Sequence, residues 1–426
     1  MIDVKLIREY PDLVKENIKK KFQNDKLPLV DKIKDKDEKW REQKAHVDQL
    51  RNQRNKISLE ISETKKKGKN VSSLMKKAKE IPNKILEIES KSNALKNEID
   101  ELLKKIPNII HSSVPIGKDA SENIEKELIG KIKELSYIVE NHGELAEKLK
   151  LADFTISAET SGNGFYYLKG DLALLNQALI SYARDFMTEK GYLYIEPPLM
   201  IRKNILEGVY SKAEIDQLAY IVEGEDLYLI ATSEHPLIGM FINKTIKKED
   251  LPIKLTAYSM CFRKEIGSHG LDERGLYRTH QFNKQEMVVI CKPEDSYKYY
   301  DELLSLSKEL FKNLEIPIRE LESCSGDLSD LKAKGADLEA WSPRQKKFFE
   351  ITSVTNMEEA QARRLNIKYI DEQNNRRFVH TLNNTAIATS RAIVAIMENN
   401  QNKDGSINIP KVLQPYMHGK KVIGKR

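Results

Sequence analysis

Along residues 74–106 apolar side chains recur at alternating three- and four-residue steps: Leu74, Ala78, Ile81, Ile85, Ile88, then Leu95, Ile99, Leu102 and Ile106, with Ser92 in phase. That spacing keeps one stripe on one face of a helix, as in a coiled-coil seam. From about Leu29 to Glu63 the same rhythm places Val47, Leu50, Ile57 and Ile61 together, with Arg54 standing in the seam. Between the two lies Lys65-Lys66-Lys67-Gly68-Lys69-Asn70, whose glycine and polar residues suit a chain reversal. The pattern predicts an antiparallel helical hairpin with about 35 residues per arm, reaching roughly 50 Å at about 1.5 Å per residue. Pro82 removes a backbone donor from the second arm, so a bend or a late helix start is expected there. Residues 1–22 predict a short amphipathic helix on Leu6, Val14 and Ile18, with Pro11 near the start of its main run.

Beyond residue 106 the rhythm changes. Residues 107–126 are rich in Pro, Gly, Ser and Asn without periodicity and read as a linker. Helices around Gly143–Leu151 and Leu172–Glu189 precede Tyr192–Ile201, whose paired prolines, Pro197 and Pro198, belong on a sheet edge or a bulge. Short apolar runs at Leu227–Ile230, Ile253–Phe262, Glu286–Ile290, Ile318–Leu321 and Phe348–Val354 suggest a mainly antiparallel sheet. Helices at Pro293–Asn313, Met357–Leu365 and Ala386–Asn399 would cover it. The expected organisation is α+β: a helical hairpin over residues 1–106, a linker at 107–126 and a sheet domain over 127–426. At 426 residues the chain is too long for one core.

Charge sharpens that division. The net charge is +6, yet residues 1–105 hold 28 Lys+Arg against 19 Asp+Glu, and the rest holds 43 against 46. The whole basic excess lies on the predicted hairpin, which points to a polyanionic partner. A lysine-studded rod serves equally as a solvated spacer. Cys261, Cys291 and Cys324 form no CxxC pair, and the eight histidines show no metal-ligand spacing, so neither a disulfide framework nor a structural zinc is expected. No apolar run reaches membrane-spanning length and the N-terminus lacks a signal peptide's apolar stretch, so no membrane contact and a cytoplasmic location are expected. There is no GxxxxGK[ST] and no GxGxxG between strand and helix, which argues against P-loop, kinase and Rossmann chemistry.

The densest candidate chemistry runs from Thr256 to Lys292 as strand, Gly-rich charged loop, strand. Arg263 and Glu265 are two apart on the first strand and are expected on one face; Phe282, Lys284 and Glu286 share a face of the second. Arg278 stands at the loop exit. Such a surface suits ATP and a small zwitterion: a guanidinium grips phosphate through two hydrogen bonds, a carboxylate accepts from an amine, a ring stacks on a purine. An ordinary sheet face with cross-strand ion pairs has the same composition.

Phe262-Arg263-Lys264-Glu265 with the stretch from Arg278 to Glu286 resembles motif 2 of the class II aminoacyl-tRNA synthetases, and GLYRTHQFNKQEM is similar to the seryl-tRNA synthetases in particular. Thr232-Ser233-Glu234 resembles that family's serine-binding loop, and His380–Asn399 its motif 3. The likeness extends to the N-terminal MIDVKLIREYPDLVKENIKKK and the C-terminal IPKVLQPYM, so it covers nearly the whole chain.

The resemblance implies a class II catalytic domain that activates L-serine with ATP to seryl-adenylate. The serine then passes to the 3′ end of tRNA(Ser), with tRNA(Sec) a further candidate acceptor, and the hairpin binds the tRNA. It implies catalytic roles for Arg263 and Arg391. ATP binding falls to Arg263, Lys264, Glu265, Arg278, Thr279, Phe282, Arg391 and the run Glu350-Ile351-Thr352-Ser353. Serine binding falls to Thr232, Ser233, Glu234, Arg263, Glu286, Asn383 and Thr385. Glu350 and Ser353 would hold Mg²⁺ with ATP. Motif 1, over the helix and strand ending at Ile201, implies a homodimer. Two departures stand out: Phe349 occupies a position that is often Arg in the family, and the middle of Cys324–Trp341 is unusual. A paralogue that loads a small amino acid onto a non-tRNA carrier is the alternative, and it would lack the basic arm.

Overall fold

The seam periodicity becomes two long helices in the computed structural model, which describes residues 1–265 and 275–424. Helices α1 (Val4–Glu9) and α2 (Pro11–Lys20) precede α3 (Leu27–Lys66) and α4 (Ser72–Leu103). Residues 1–22 therefore form two helices, because Pro11 sits at the first position of the second, where its missing N–H costs nothing. At 40 residues α3 is about 60 Å long. The seam closes through Val47, Leu50 and Ile57 against Ile81 and Ile85, while Arg54 is exposed. A second cluster packs Ile7, Val14 and Ile18 on Val30, Ile33, Ile99 and Leu103. Beside it the Asp37 carboxylate, 3% exposed, accepts from Arg8 and Arg41, each at 2.9 Å. Helix α4 starts ten residues before Pro82 and runs on through it, so the late start does not occur. The proline ring lies on the exposed side and forfeits a single ladder bond.

The first unit spans Met1–Ile109 and the second Ile110–Arg426. The second is built on an eight-stranded sheet, numbered here along the chain: β1 (Ile124–Ile129), β2 (Leu193–Ile195), β3 (Ile253–Phe262), β4 (Gln281–Cys291), β5 (Ile318–Glu322), β6 (Lys334–Ser342), β7 (Lys347–Asn356) and β8 (His380–Ala388). In space the order is β1-β5-β6-β7-β8-β4-β3-β2. All neighbours are antiparallel except β2, which lies parallel to β3 on the edge. Three helices, α5 (Gly170–Glu189), α6 (Ser296–Asn313) and α7 (Thr389–Asn399), bury their apolar sides on one face with Met287, Val289 and Cys291 of β4. Truncating a fully buried residue there, such as Leu179, would cost about 2–5 kcal/mol. On the other face Leu255, Ala257, Val288 and Ile290 carry a second core.

Several expected boundaries move. The stretch 107–126 is tied down from residue 110 onward: Ser325 N–H donates to Pro115 O at 2.9 Å, Gly326 N–H to Gly117 O at 2.8 Å and Cys324 N–H to Asn123 Oδ1 at 2.8 Å. A Cβ on Gly326 would lie 2.1 Å from Lys118 O, so the close approach requires glycine. The chain then continues directly into edge strand β1. Leu227–Leu229 pairs with Met200–Arg202 outside the main sheet. The unusual stretch after Cys324 contains β6, an interior strand whose small residues Gly335, Ala336 and Ala340 are buried.

Candidate active site

The face of β4 that carries Val288 and Ile290 turns polar toward the start of the strand, at Glu286 and Lys284, and ends on the Phe282 ring. Opposite them on β3 stand Ala257, Ser259 and Cys261; opposite Glu286 on β8 stands Thr385. An irregularity in register between Thr385 and Ile387 breaks the ladder there, just before β8 passes into α7. Strand β3 ends at Phe262, so Arg263 and Glu265 are not strand neighbours as expected: Glu265 has a left-handed backbone at φ 45°. The two side chains nevertheless line one cavity with Arg278, Thr279, Phe282, Glu350, Ile351, Thr352, Thr385 and Arg391. The intervening loop, residues 266–274, lies outside the described residues.

Cations dominate one end of this cavity. The Arg263 guanidinium stands 5.3 Å from the Phe282 ring centroid, and its Nε donates to Ala231 O at 3.3 Å. Arg391 lies 5.3 Å from the Tyr277 ring and reaches Glu350 through the backbone carbonyl at 3.0 Å and Oε2 at 3.2 Å. Burial pushes the Glu350 carboxyl up, but Arg391, Lys332 and Arg263 together hold it below the usual carboxylate range. Arg278 Nη1 is 3.7 Å from Glu265 Oε2.

Deeper in, three buried side chains converge. Asn383 Nδ2 donates to Glu234 Oε2 at 2.7 Å and to Glu286 Oε1 at 3.4 Å. Glu286 also accepts from Thr385 Oγ1 at 3.5 Å and pairs with Lys284 Nζ at 2.6 Å, where both side chains are under 10% exposed. Gln361 Nε2 donates to the other oxygen of Glu234 at 2.8 Å and is itself oriented by Thr381. Burial, then the charge of Glu286, pushes Glu234 up to about 7. Glu234 thus faces a second buried carboxylate, that of Glu286, whose ion-pair partner is Lys284. Next to them burial holds His235 well below its ordinary range, and its ring meets Tyr210 edge-on at 4.3 Å.

Not every expected residue reaches the cavity. Ser233 is buried and donates to Ala257 O at 3.2 Å, which commits its hydroxyl to the fold; Thr232 Oγ1 accepts from Glu234 N–H at 3.3 Å. Lys264 and Ser353 are not lining residues; Lys264 N–H donates to Leu218 O, and Ser353 pairs with Asp337 across β6 and β7. Phe349 packs into the core. Lys284, Tyr277 and Ser390 line the cavity without having been singled out as site residues. Lys284 shared a strand face with Phe282 and Glu286, a readable signal. Tyr277 follows a loop and has no periodicity to betray it.

Residues 219–400 match the tRNA synthetase class II core domain (G, H, P, S and T), which defines the class of the sheet unit. Residues 1–110 match the seryl-tRNA synthetase N-terminal domain. The serine–tRNA ligase of Methanocella arvoryzae is 44% identical over 98% of this chain and 99% of its own length. The crystal structure of seryl-tRNA synthetase from Pyrococcus horikoshii complexed with ATP superposes with a TM-score of 0.94 at 43% identity, covering 99% of both chains. A cytoplasmic serine–tRNA ligase from Naegleria fowleri in complex with AMP gives 0.89 at 32% identity, over 99% of this chain and 98% of its own. The chain belongs to the seryl-tRNA synthetase family.

Proposed function

We propose that this chain is a serine–tRNA ligase that forms seryl-adenylate from L-serine and ATP and passes the serine to the 3′ end of tRNA(Ser). The single observation that carries the reading is the meeting of two unlike half-sites: a pocket of paired carboxylates at Glu234 and Glu286 joins, through Lys284 and Thr385, a cavity walled by Arg263 and Arg391. The attacking group is the serine carboxylate, already an anion, so no general base is required. Catalysis then rests on alignment and on neutralising charge at the α-phosphate as pyrophosphate leaves. Arg263 serves the α-phosphate and the carboxylate, Arg391 and Arg278 the outer phosphates. Glu265 accepts from the adenine amine beside Thr279, and the Phe282 ring takes the purine face. Glu234 and Glu286 accept the serine ammonium, while Asn383 and Thr385 orient the amino acid. Alanine brings the same ammonium and carboxylate but no hydroxyl, so the buried groups that pair with serine's hydroxyl are left unpaired, which is what rejects it.

Of the two residues expected to hold Mg²⁺, Glu350 lines the cavity and Ser353 lies three residues further along β7 against Asp337; both offer the hard oxygens that Mg²⁺ takes. Asp337, in register with Ser353, is pushed above the usual carboxylate range by burial and by the Glu350 charge, an environment that a bound cation would ease. Among the described residues no cluster of three or more His, Cys, Asp or Glu could hold a metal. That suits an ion that takes one or two protein oxygens and shares phosphate. When bound, Mg²⁺ would spread the phosphate charge. The homodimer reading is supported by Leu174, Leu193, Leu199 and Met200, all exposed on α5, edge strand β2 and the segment after it. The basic hairpin supports tRNA binding by backbone shape. Among the described residues no helix is long and apolar enough to cross a membrane.

Pyrophosphate exchange measured with each of the twenty amino acids tests the assignment. Exchange should be strongest with serine and fall by orders of magnitude with alanine. Serine-independent exchange, or equal turnover of alanine, would overturn it.

A further inference from the structure

Arg263 lies one residue beyond the end of β3, where the sheet ladder no longer fixes its backbone. Both of its backbone groups are held by a single residue: Arg263 N–H donates to His280 O at 2.9 Å, and Arg263 O sits 3.0 Å from His280 Nδ1. A carbonyl can only accept, so Nδ1 carries the proton in this contact. The Tyr220 hydroxyl, 2.8 Å from the same nitrogen, is then a second acceptor. The ring itself is clamped. Phe165 stacks on it at 5.3 Å and 19°, and His280 N–H donates to Gly164 O at 2.8 Å. A Cβ on Gly164 would fall 2.3 Å from His280 Cδ2, at a backbone φ of +83° that only glycine adopts readily. We propose that His280 is a positioning residue for the adenylation step, using its Nδ1–H to hold the Arg263 backbone so that the guanidinium meets the α-phosphate in register. Displacing a catalytic group by about 1 Å can cost about 100-fold in rate. This rests on the role given to Arg263 above.

Asn and Gln at position 280 separate the donor from the bulk. An Asn amide nitrogen superposes on Nδ1 of histidine, whereas that of Gln superposes on Nε2. His280→Phe keeps the stack on Phe165 and should lower kcat of serine-dependent pyrophosphate exchange about 10- to 100-fold with KM for ATP unchanged. His280→Asn should recover to within about threefold of the parent, and His280→Gln should stay as slow as Phe. Gly164→Ala displaces the same ring from a turn elsewhere in the chain and should reproduce the kcat loss, with a lowered melting temperature because its left-handed backbone strains an alanine. Equal rates for the Asn and Gln variants would overturn the proposal even if the Phe variant fails to fold, as would parental exchange by His280→Phe. Arg263→Ala serves as the control. If it retains exchange, the reading of Arg263 falls and the proposal with it; if it is inactive while Gln matches Asn, the His280 proposal alone falls.

Discussion

The hairpin and the pocket use the same side chains to opposite effect. Along α3 and α4 lysines and glutamates face water; cross-arm pairs such as Lys36–Glu98 and Arg51–Glu89, the latter at 2.6 Å, join partly exposed partners. Such exposed pairs add little to stability, and salt screens them. In the pocket Glu234, Glu286 and Lys284 are withdrawn from water, so each charge must be answered by a specific neighbour. The arm therefore works by summed field and length, the pocket by individual placement. Deletion should reveal the first and point mutation the second.

The sharpest break of this contrast is a crossed pair of variants. Excising residues 28–105 should abolish aminoacylation while leaving pyrophosphate exchange within a fewfold of the parent, because the core of the sheet unit draws on no residue of that span. Arg263→Ala should do the reverse at the first step, lowering exchange by about 10³-fold with tRNA affinity retained. Equal loss of both activities in the excised protein would dissolve the distinction.

A smaller effect sharpens the pocket side through pH. Glu234 is raised from 4.5 to about 7, so the folded state binds its proton more tightly than the unfolded one. Its contribution to stability is full below 4.5 and is lost as pH climbs through about 7. Serine's ammonium favours the ionised carboxylate, so serine binding should release a proton over that window. KM for serine should fall as pH rises from about 5.5 to 7 and then level, while KM for ATP stays flat. Glu234→Gln should flatten the serine profile; a profile unchanged by that substitution would remove Glu234 from the ammonium site.

The two regions also differ in how plainly they could be read beforehand. A seam every three and four residues is a repeated local signal, which is why Leu50, Ile57, Ile81 and Ile85 are legible as one packed stripe. The sheet face at Phe282, Lys284 and Glu286 was legible for the same reason, since strand period is local. What escaped depended on tertiary contact. Strand β6 carries three small buried residues of low β-propensity, Gly335, Ala336 and Ala340. Residues 115–117 are held by backbone hydrogen bonds to Ser325 and Gly326, which leave no trace in side-chain pattern. Glu265 left its expected strand because β3 stops three residues earlier and the chain turns left-handed. The motif spelling placed Arg263 by type; only the three-dimensional contact with His280 says what holds it.

The smallest expected effect lies on the arm. A rod that recognises tRNA by phosphate charge releases counterions on binding, so log affinity should fall linearly with log salt, by about 0.9 per phosphate neutralised on duplex nucleic acid. Replacing one tip lysine, Lys69 for example, should weaken binding about two- to threefold and lower that slope by no more than about one. Replacing Lys65, Lys66, Lys67 and Lys69 together should compound the loss roughly additively in free energy, since exposed charges share no desolvated partner. The measurement is tRNA affinity across a salt series for the parent, the single and the quadruple variant. A single lysine that alone removes most of the affinity would mean the arm holds a discrete, desolvated contact like those around Glu234, and the opposition between summed field and individual placement would fail there.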